Sequence, residues 1–304
     1  MKLKFKKLLM LLAMTTFASA TVNAQLFQVE SVKKVSLPTG TLVENATISP
    51  DGSFAVISEY SQPGIKKLDL SSGKTSVISK KADSFGLKIS GNDVIYREIT
   101  TDANHLRWTS VKTKNVKTQR EQTLVAKSRD VKGIALRGGK ALVTLGKLTK
   151  QTAINTSATK RQETAVAIID GQLCLSQNGT MRTLSPQGTR NASYLWPELS
   201  PDGRHICYYH SDTGTYVCDL NGKVVAKLGD LHAARWLDNS TVVGMRDHDN
   251  GYVITSSSII AKNISNLREQ VLSPKGVVAT YPSTAAKKIS FVTPKGELYI
   301  INLK

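Results

Sequence analysis

One pattern of apolar and polar positions recurs along the chain. Its unit is an apolar residue, a polar turn and a run in which apolar and polar residues alternate, as in a β-strand with one buried face. Two copies are nearly identical, ISPDGSFAVIS at 48–58 and LSPDGRHICYY at 199–209. In both turns proline presets φ, aspartate caps the turn and glycine takes the left-handed position. The pattern predicts an all-β chain built from repeats.

Four weaker copies keep this shape with altered turn residues, which gives six copies in all. They are ISGNDVIYRE at 89–98, LRGGKALVTL at 136–145, LDNSTVVGM at 237–245 and YPSTAAKKISFV at 281–292. A second hairpin follows, clearest at 64–79, 171–185 and 214–228, so that each unit provides four antiparallel strands. Since propeller blades repeat at about 40 to 50 residues, the sequence predicts a six-bladed β-propeller of four-stranded antiparallel blades.

One step between copies is too long for a single blade. From Leu136 to Leu199 it spans 63 residues and contains the segment KLTKQTAINTSATKRQET, which is polar, basic and without alternation. This composition predicts an inserted loop at about 147–164. Two β-sandwiches are the competing architecture that the chain length allows.

The last repeat lacks a fourth strand. GELYIINLK at 296–304 provides its third strand, and a β-prone segment at 27–38 stands unassigned before the first repeat. A blade with an open edge would expose unpaired backbone groups. We therefore expect the N-terminal strand to close the ring as the outer strand of the last blade.

The first 24 residues have the composition of a secretory signal peptide. Four lysines precede an apolar run from Leu8 to Met14, and small residues follow, so cleavage is expected after Ala20 or Ala24. The apolar run is too short to span a bilayer, and no cysteine lies nearby to carry a lipid anchor. We expect an exported monomer, periplasmic or secreted, in which residues 25–304 form a single propeller domain.

The protein is strongly basic, which bears on the kinds of partner it can bind. The formal charge is +18, and removal of the four leader lysines leaves +14. The basic residues are spread along the chain without interleaved aromatics, which is typical of a solvated surface. Nucleic acid is not an expected partner of an exported protein.

The three cysteines are too few to staple a chain of this length. Cys207 and Cys218 lie on neighbouring strands of a predicted hairpin. A two-residue turn at 212–213 would place them opposite each other, where a disulfide forms in an oxidising compartment. A three-residue turn with Gly214 in the left-handed conformation would separate them as two buried thiols.

The sequence lacks the common motifs for catalysis and cofactor binding. The sequence contains no G-x-S-x-G, H-E-x-x-H or C-x-x-C motif, and no phosphate-binding or dinucleotide-binding loop. The acidic segment at 247–251 lacks the distal glutamate of a helical calcium loop and is predicted to be a hairpin turn. We expect neither a metal nor a cofactor, and we expect that the protein is not an enzyme.

The Ser-Pro-Asp-Gly turns, and above all the stretch from Tyr194 to Asp230, resemble the repeat of the TolB-like β-propeller family. The resemblance covers essentially all of residues 25–304 and matches closely at Ser49 and Ser200. Neither the α/β domain that precedes the TolB propeller nor the hydrolase domain of propeller peptidases has a counterpart here. The resemblance implies a stand-alone envelope propeller that binds another protein or a cell-wall component.

Partners of propellers usually engage the rim of the central channel, which points to residues just ahead of each repeated motif. Large aromatic and basic side chains there are of the types enriched in binding hot spots; they are Lys88, Tyr194, Trp196, His232, Arg235 and Trp236. For Trp196 and Trp236 the alternative role is packing between blades. The expected function is a non-catalytic scaffold that binds an envelope protein. A carbohydrate- or peptidoglycan-binding propeller and a propeller hydrolase or lyase are the alternatives.

Overall fold

The fold consists of successive antiparallel sheets. The computed structural model describes residues 25–137, 139–154, 164–188 and 193–304, so the predicted signal peptide lies outside the described residues. In this part of the chain there are 26 strands in seven sheets, and no helix is long and apolar enough to cross a membrane. The all-β prediction is confirmed, whereas the predicted number of six blades is wrong: there are seven.

Blades 1 and 2 have four strands each. From the channel outwards these are β2 (Val43–Ile48), β3 (Phe54–Glu59), β4 (Gln62–Asp69) and β5 (Thr75–Ser79), then β6 (Ala82–Ser90), β7 (Asp93–Thr101), β8 (Arg107–Asn115) and β9 (Glu121–Ser128). Blades 3 and 4 have three strands each within the described residues. These are β10 (Val131–Arg137), β11 (Lys140–Leu145) and β12 (Leu148–Ala153), then β13 (Thr164–Ile169), β14 (Gln172–Gln177) and β15 (Thr180–Thr183).

Blades 5 and 6 again have four strands each. These are β16 (Tyr194–Leu199), β17 (His205–His210), β18 (Gly214–Asp219) and β19 (Val224–Gly229), then β20 (His232–Trp236), β21 (Thr241–Asp249), β22 (Ile254–Asn263) and β23 (Glu269–Val271). Blade 7 combines both ends of the described chain. Its strands are β24 (Thr280–Ala285), β25 (Lys288–Val292), β26 (Leu298–Leu303) and, outermost, β1 (Val29–Lys34).

The first strand of each sheet packs against the first strand of the next, and the circle closes between β24 and β2. This arrangement is a seven-bladed β-propeller around a central channel. All inner strands begin on one face of the ring, which we call the mouth face, and end on the opposite face, the turn face, where the Ser-Pro-Asp-Gly turns lie. In these turns the hydroxyl of buried Ser49 donates to Asp51 Oδ1 (2.6 Å), and the Ser200–Asp202 pair has the same geometry.

The predicted ring closure is confirmed. β1 pairs antiparallel with β26, with Val32 opposite Ile301. Just before this strand, Phe27 is held on both of its backbone groups, since its N–H donates to Gln270 Oε1 and its carbonyl accepts from Gln270 Nε2, each at 2.9 Å. The N-terminal segment is thus fixed to blade 6 as well as to blade 7.

Blade 4 is the blade that the repeat pattern did not predict, and it accounts for the long step between Leu136 and Leu199. Its first hairpin, β13–β14, turns at Asp170 and Gly171, both in the left-handed region (φ 51° and 74°). Residues 171–185 contain β14 and β15 of this blade. The repeat pattern assigns them instead to the second hairpin of the preceding repeat, so it does not reveal the blade. The loop predicted at 147–164 is wrong in part, because Leu148–Ala153 form β12. As the outermost described strand of blade 3, β12 is polar on both faces, while residues 155–163 lie outside the described part of the chain.

The hydrophobic core lies between neighbouring blades rather than at the centre of the ring. Cys207 belongs to a cluster shared with blade 6, and Cys218 to one shared with blade 4. The hairpin joining their strands has a three-residue loop, with Gly214 at φ 96°, and Cys207 pairs in register with Val217. The two thiols therefore face opposite sides of blade 5. All three cysteines are buried and free, and the disulfide considered for Cys207 and Cys218 is not formed.

Candidate binding site at the channel mouth

Backbone irregularities mark the inner strands where they begin on the mouth face. The pairing register slips near the start of β16, β20 and β24. At each slip one residue has left-handed φ: Trp196 (48°), Ala233 (47°) and Tyr281 (50°). Bulky residues rarely adopt this conformation, and such strain clusters at binding sites, where a bulge re-aims a side chain. Two of the three bulges carry large aromatic side chains.

Five exposed aromatic side chains lie on the mouth face: Tyr252 in the β21–β22 turn, and four that we call the aromatic mouth. These four are Tyr60 in the β3–β4 turn, Phe85 in the bulge of β6, Trp196 and Tyr281, with 56%, 59%, 41% and 40% of their surface exposed. The backbone N–H of Tyr281 leaves the ladder and donates to Met245 Sδ (3.3 Å). Aromatic residues so exposed at one end of a channel form an apolar surface that is available to a ligand.

A recess connects two members of the aromatic mouth. It lies between blades 1 and 2, has a volume of about 460 Å³, and is lined by Tyr60 and Phe85 together with the carboxylates of Glu44, Glu59 and Asp83. Burial raises the pKa of Tyr60, and the nearby Glu44 and Tyr281 raise it further. The phenol therefore stays protonated and offers a hydroxyl donor beside acidic groups.

A histidine network extends the mouth towards blades 5 and 6. His232 Nδ1 lies 2.7 Å from Asp247 Oδ1, and its Nε2 lies 3.1 Å from the Tyr209 hydroxyl and 3.0 Å from Asp230 Oδ1. The Trp196 ring packs against Tyr209, with ring centroids 5.4 Å apart. Burial raises the pKa of Tyr209, and the Asp230 and Asp247 carboxylates raise it further.

The hydrogen-bond partners in this network define the tautomer of His232. A carboxylate only accepts hydrogen bonds, so Asp247, whose side chain is 11% exposed, keeps a proton on His232 Nδ1. Nε2 then either accepts from the Tyr209 hydroxyl or, when protonated, donates to the more exposed Asp230. A histidine oriented by a carboxylate in this way has the geometry of a general acid or base.

The channel is bridged beneath the mouth. Lys88 Nζ on blade 2 lies 3.6 Å from Glu198 Oε1 on blade 5, across the ring. The backbone N–H and the indole N–H of Trp236 donate to Glu198, at 3.2 and 3.0 Å. Arg137 of blade 3 reaches the Ser200 carbonyl (2.7 Å). Beneath the mouth the channel is therefore crossed by one ion pair and by hydrogen bonds between blades.

The six rim residues predicted from sequence fall into three environments. Trp196 and His232 lie together at the mouth. Lys88, Arg235 and Trp236 lie further down the inner strands, where Trp236 is buried and the Arg235 guanidinium donates to the Ala234 carbonyl. Tyr194 is completely buried between blades 4 and 5, and its hydroxyl bonds to the backbone at 187 and 188.

Sequence reasoning missed several mouth residues, namely Tyr60, Phe85, Tyr209, Asp230 and Tyr281. It assigned Asp247 to a hairpin turn, whereas Asp247 lies in β21 and contacts His232. Phe85 precedes the second repeat, so the same positional rule could have selected it. Tyr281 was taken as the first residue of a repeat and was not considered for the rim. No group of three His, Cys, Asp or Glu side chains within the described residues could hold a metal ion.

The fold and the site define a β-propeller with an aromatic mouth. Comparison with known proteins supports this fold and gives no information about the site. No protein-family model matches the chain, and no curated protein matches its sequence. Virginiamycin B lyase from Staphylococcus aureus, solved as a catalytically inactive variant with quinupristin, is similar in structure. It has a TM-score of 0.59 and 12% identity, over 90% of this chain and 99% of the lyase.

Two further propellers are similar. Hsv2 of Kluyveromyces lactis has a TM-score of 0.51 and 10% identity, over 84% of this chain and 91% of its own. Oligogalacturonate lyase from Vibrio parahaemolyticus has a TM-score of 0.46 and 12% identity, over 87% of this chain and 79% of its own. The resemblance to the TolB-like family thus holds at the level of the propeller fold alone.

These neighbours correct one prediction. The expectation that the protein is not an enzyme rested on missing sequence motifs, and it is wrong as drawn, because virginiamycin B lyase is a named enzyme with this fold. At 12% identity the likeness shows the fold and transfers no activity.

Proposed function

We propose that the protein is an exported propeller that binds a polypeptide partner of the cell envelope across its aromatic mouth. The observation that carries this proposal is the aromatic mouth, whose four side chains are exposed on one face, two of them presented by residues with left-handed φ. A strained backbone conformation lowers the stability of the fold. Its presence at exposed aromatic residues is explained if the orientation of these side chains serves binding.

The aromatic mouth and His232 are distributed over five blades, which supports an extended ligand. Phe85 and Tyr60 share the recess of blades 2 and 1, Tyr281 lies on blade 7, and His232 of blade 6 contacts Trp196 of blade 5 through ring edges. Tryptophan and tyrosine dominate binding hot spots because they bury a large area at low conformational entropy cost. Carboxylates beside these rings provide hydrogen-bond acceptors for peptide N–H groups and basic side chains.

The direct test is capture of partners from an envelope extract by the mature protein and by the double variant Trp196→Ala/Tyr281→Ala. We expect at least one protein to be enriched by the natural chain and to bind the double variant about 30-fold or more weakly, as hot-spot truncation predicts. Val225→Ala is the matched control, since this exposed apolar residue lies on the outer strand of the same blade as Trp196.

Two results would overturn the proposal. One is equal capture by the natural chain and the double variant. The other is mouth-dependent binding to purified cell wall with no enriched protein, which supports a carbohydrate- or peptidoglycan-binding propeller instead. N-terminal sequencing of the protein recovered from the periplasm tests export, with a mature chain beginning at Thr21 or Gln25 as the expected result.

A second candidate function is acid–base chemistry on the bound ligand, and the arrangement of His232 with Asp247 and Tyr209 favours it. The experiment incubates the captured partner with the natural protein or with His232→Gln and analyses it by mass spectrometry. Covalent change that requires His232 supports an enzyme. An unaltered partner in both samples, with binding intact, rejects this candidate and leaves the binding function in place.

A further inference from the structure

A second recess on the mouth face lies between blades 2 and 3 and is rich in arginine. It has a volume of about 360 Å³, and its charged lining consists of Arg97, Arg107, Arg129 and Asp83. These residues come from four segments: β7, the start of β8, the β9–β10 connection and β6. The fold therefore brings together three guanidinium groups that are well separated in sequence.

Arg97 is the unusual member of this group. Its Nε is buried and has no hydrogen-bond partner among the described residues. Burial lowers the pKa of Arg97 and the neighbouring Arg107 charge lowers it further, while Asp83 opposes both effects. Buried polar atoms are nearly always hydrogen-bonded, and a buried charge without partners is costly. Arg97 also lines the recess, and the described residues provide no acceptor for its Nε.

Asp83 does not balance the positive charge of the recess. It is the single carboxylate among the described residues that line it. One of its oxygens accepts the Phe85 N–H (3.0 Å), and the other lies 3.9 Å from Arg107 Nη2, longer than a hydrogen bond. Three guanidinium groups against one carboxylate leave two positive charges unpaired.

We propose that this recess binds the oxyanion group of a phosphate monoester. Guanidinium groups bind phosphate oxygens through paired N–H donors, and a phosphate monoester carries close to two negative charges at neutral pH, which matches the unpaired charge. A carboxylate carries one charge and two oxygens, so it would leave part of the arginine set unsatisfied. This inference is independent of the partner proposed for the aromatic mouth, although Asp83 borders both recesses.

The test is calorimetric titration of the mature protein with inorganic phosphate and, in parallel, with acetate at the same ionic strength. We expect phosphate to bind and acetate to bind at least about 10-fold more weakly. Arg107→Gln and Arg129→Gln should each weaken phosphate binding about 10-fold. Arg120→Gln is the matched control, because this exposed arginine lies on the β8–β9 turn at the opposite face, and its affinity for phosphate should be unchanged.

Three results would overturn the proposal: no phosphate binding tighter than about 10 mM, acetate binding as tight as phosphate, or an equal loss in Arg120→Gln. Loss of folding does not obscure the outcome, since Arg107 and Arg129 are exposed and thermal melting of each variant is measured alongside. Phosphate should raise the melting temperature of the natural protein and leave that of the Arg107→Gln/Arg129→Gln double variant unchanged.

Discussion

Gly244 in β21 offers a quantitative test of how the fold supports the histidine network. A Cβ at this position would lie 2.5 Å from Leu231 Cγ and 2.9 Å from the His232 carbonyl oxygen. Leu231 is fully buried, and its carbonyl accepts a 2.5 Å hydrogen bond from Thr215 Oγ1. The strand carrying His232 therefore cannot move away freely, and Gly244→Ala must displace it by about 1 Å to restore ordinary contact distances.

The expected cost follows from these distances. Overpacking of this kind destabilises by about 1–3 kcal/mol, and the reduced backbone entropy of the unfolded alanine chain offsets about 0.4–1 kcal/mol. The net loss should be about 1–2 kcal/mol, or a fall in melting temperature of about 2–4 °C for a domain of this size. Because the His232 backbone moves, its imidazole signals in a nitrogen-correlated NMR spectrum should shift as well.

Gly133→Ala is the matched control. Gly133 also lies in a strand with ordinary φ, but its added Cβ would meet Ala167 Cβ at 3.2 Å, which needs a shift of only a few tenths of an ångström. Its melting temperature should change by less than about 1 °C. Equal melting temperatures for the Gly244→Ala variant and the natural protein, or a larger loss in the control, would refute the packing argument.

Further predictions concern stability, the thiols and ring closure. Tyr194→Phe should cost about 1–3 kcal/mol in urea unfolding, because two backbone partners lose their hydroxyl; an unchanged midpoint contradicts this. Arg246 and Lys262 lower the pKa of Glu269 to about 2, so its contribution to stability is present above its usual pKa and lost as pH falls towards 2. Glu269→Gln should flatten that acid limb of the melting profile, and a profile parallel to that of the natural protein rejects the assignment. Under denaturing, non-reducing conditions three thiols should titrate, and a count of one would show that two of the three cysteines form a disulfide. Deleting residues 25–34 should abolish the cooperative melting transition, and a soluble monomer with unchanged melting would disprove closure by β1.

Local signals explain why much of the fold could be predicted. The turns at Ser49 and Ser200 depend on residues adjacent in sequence, and ring closure follows from the rule that strand edges need partners. Blade 4 was not predicted because its β14–β15 hairpin was taken as the second hairpin of the preceding repeat. A missing repeat could only be inferred from the unexplained length between Leu136 and Leu199.

The site was less predictable because it depends on contacts between distant blades. Position ahead of a motif selected Trp196 and His232, which lie on the mouth face, together with Tyr194, which is buried two residues before Trp196. That distinction arises from the bulge in β16, which has no local sequence signal. The arginine recess likewise becomes visible only when β6, β7, β8 and the segment before β10 are brought together.

Closure of the ring by β1 has a consequence for how the protein assembles. Val29 and Leu303 are partners in one strand pair although almost the whole chain separates them, so this pairing forms only after the last blade has been made. Until then β26 presents an open edge and β1 lacks its sheet. Two chains held at high concentration in that state can exchange their first strands, giving domain-swapped dimers in which each ring is completed by the other molecule. Rapid dilution during refolding should favour the monomer.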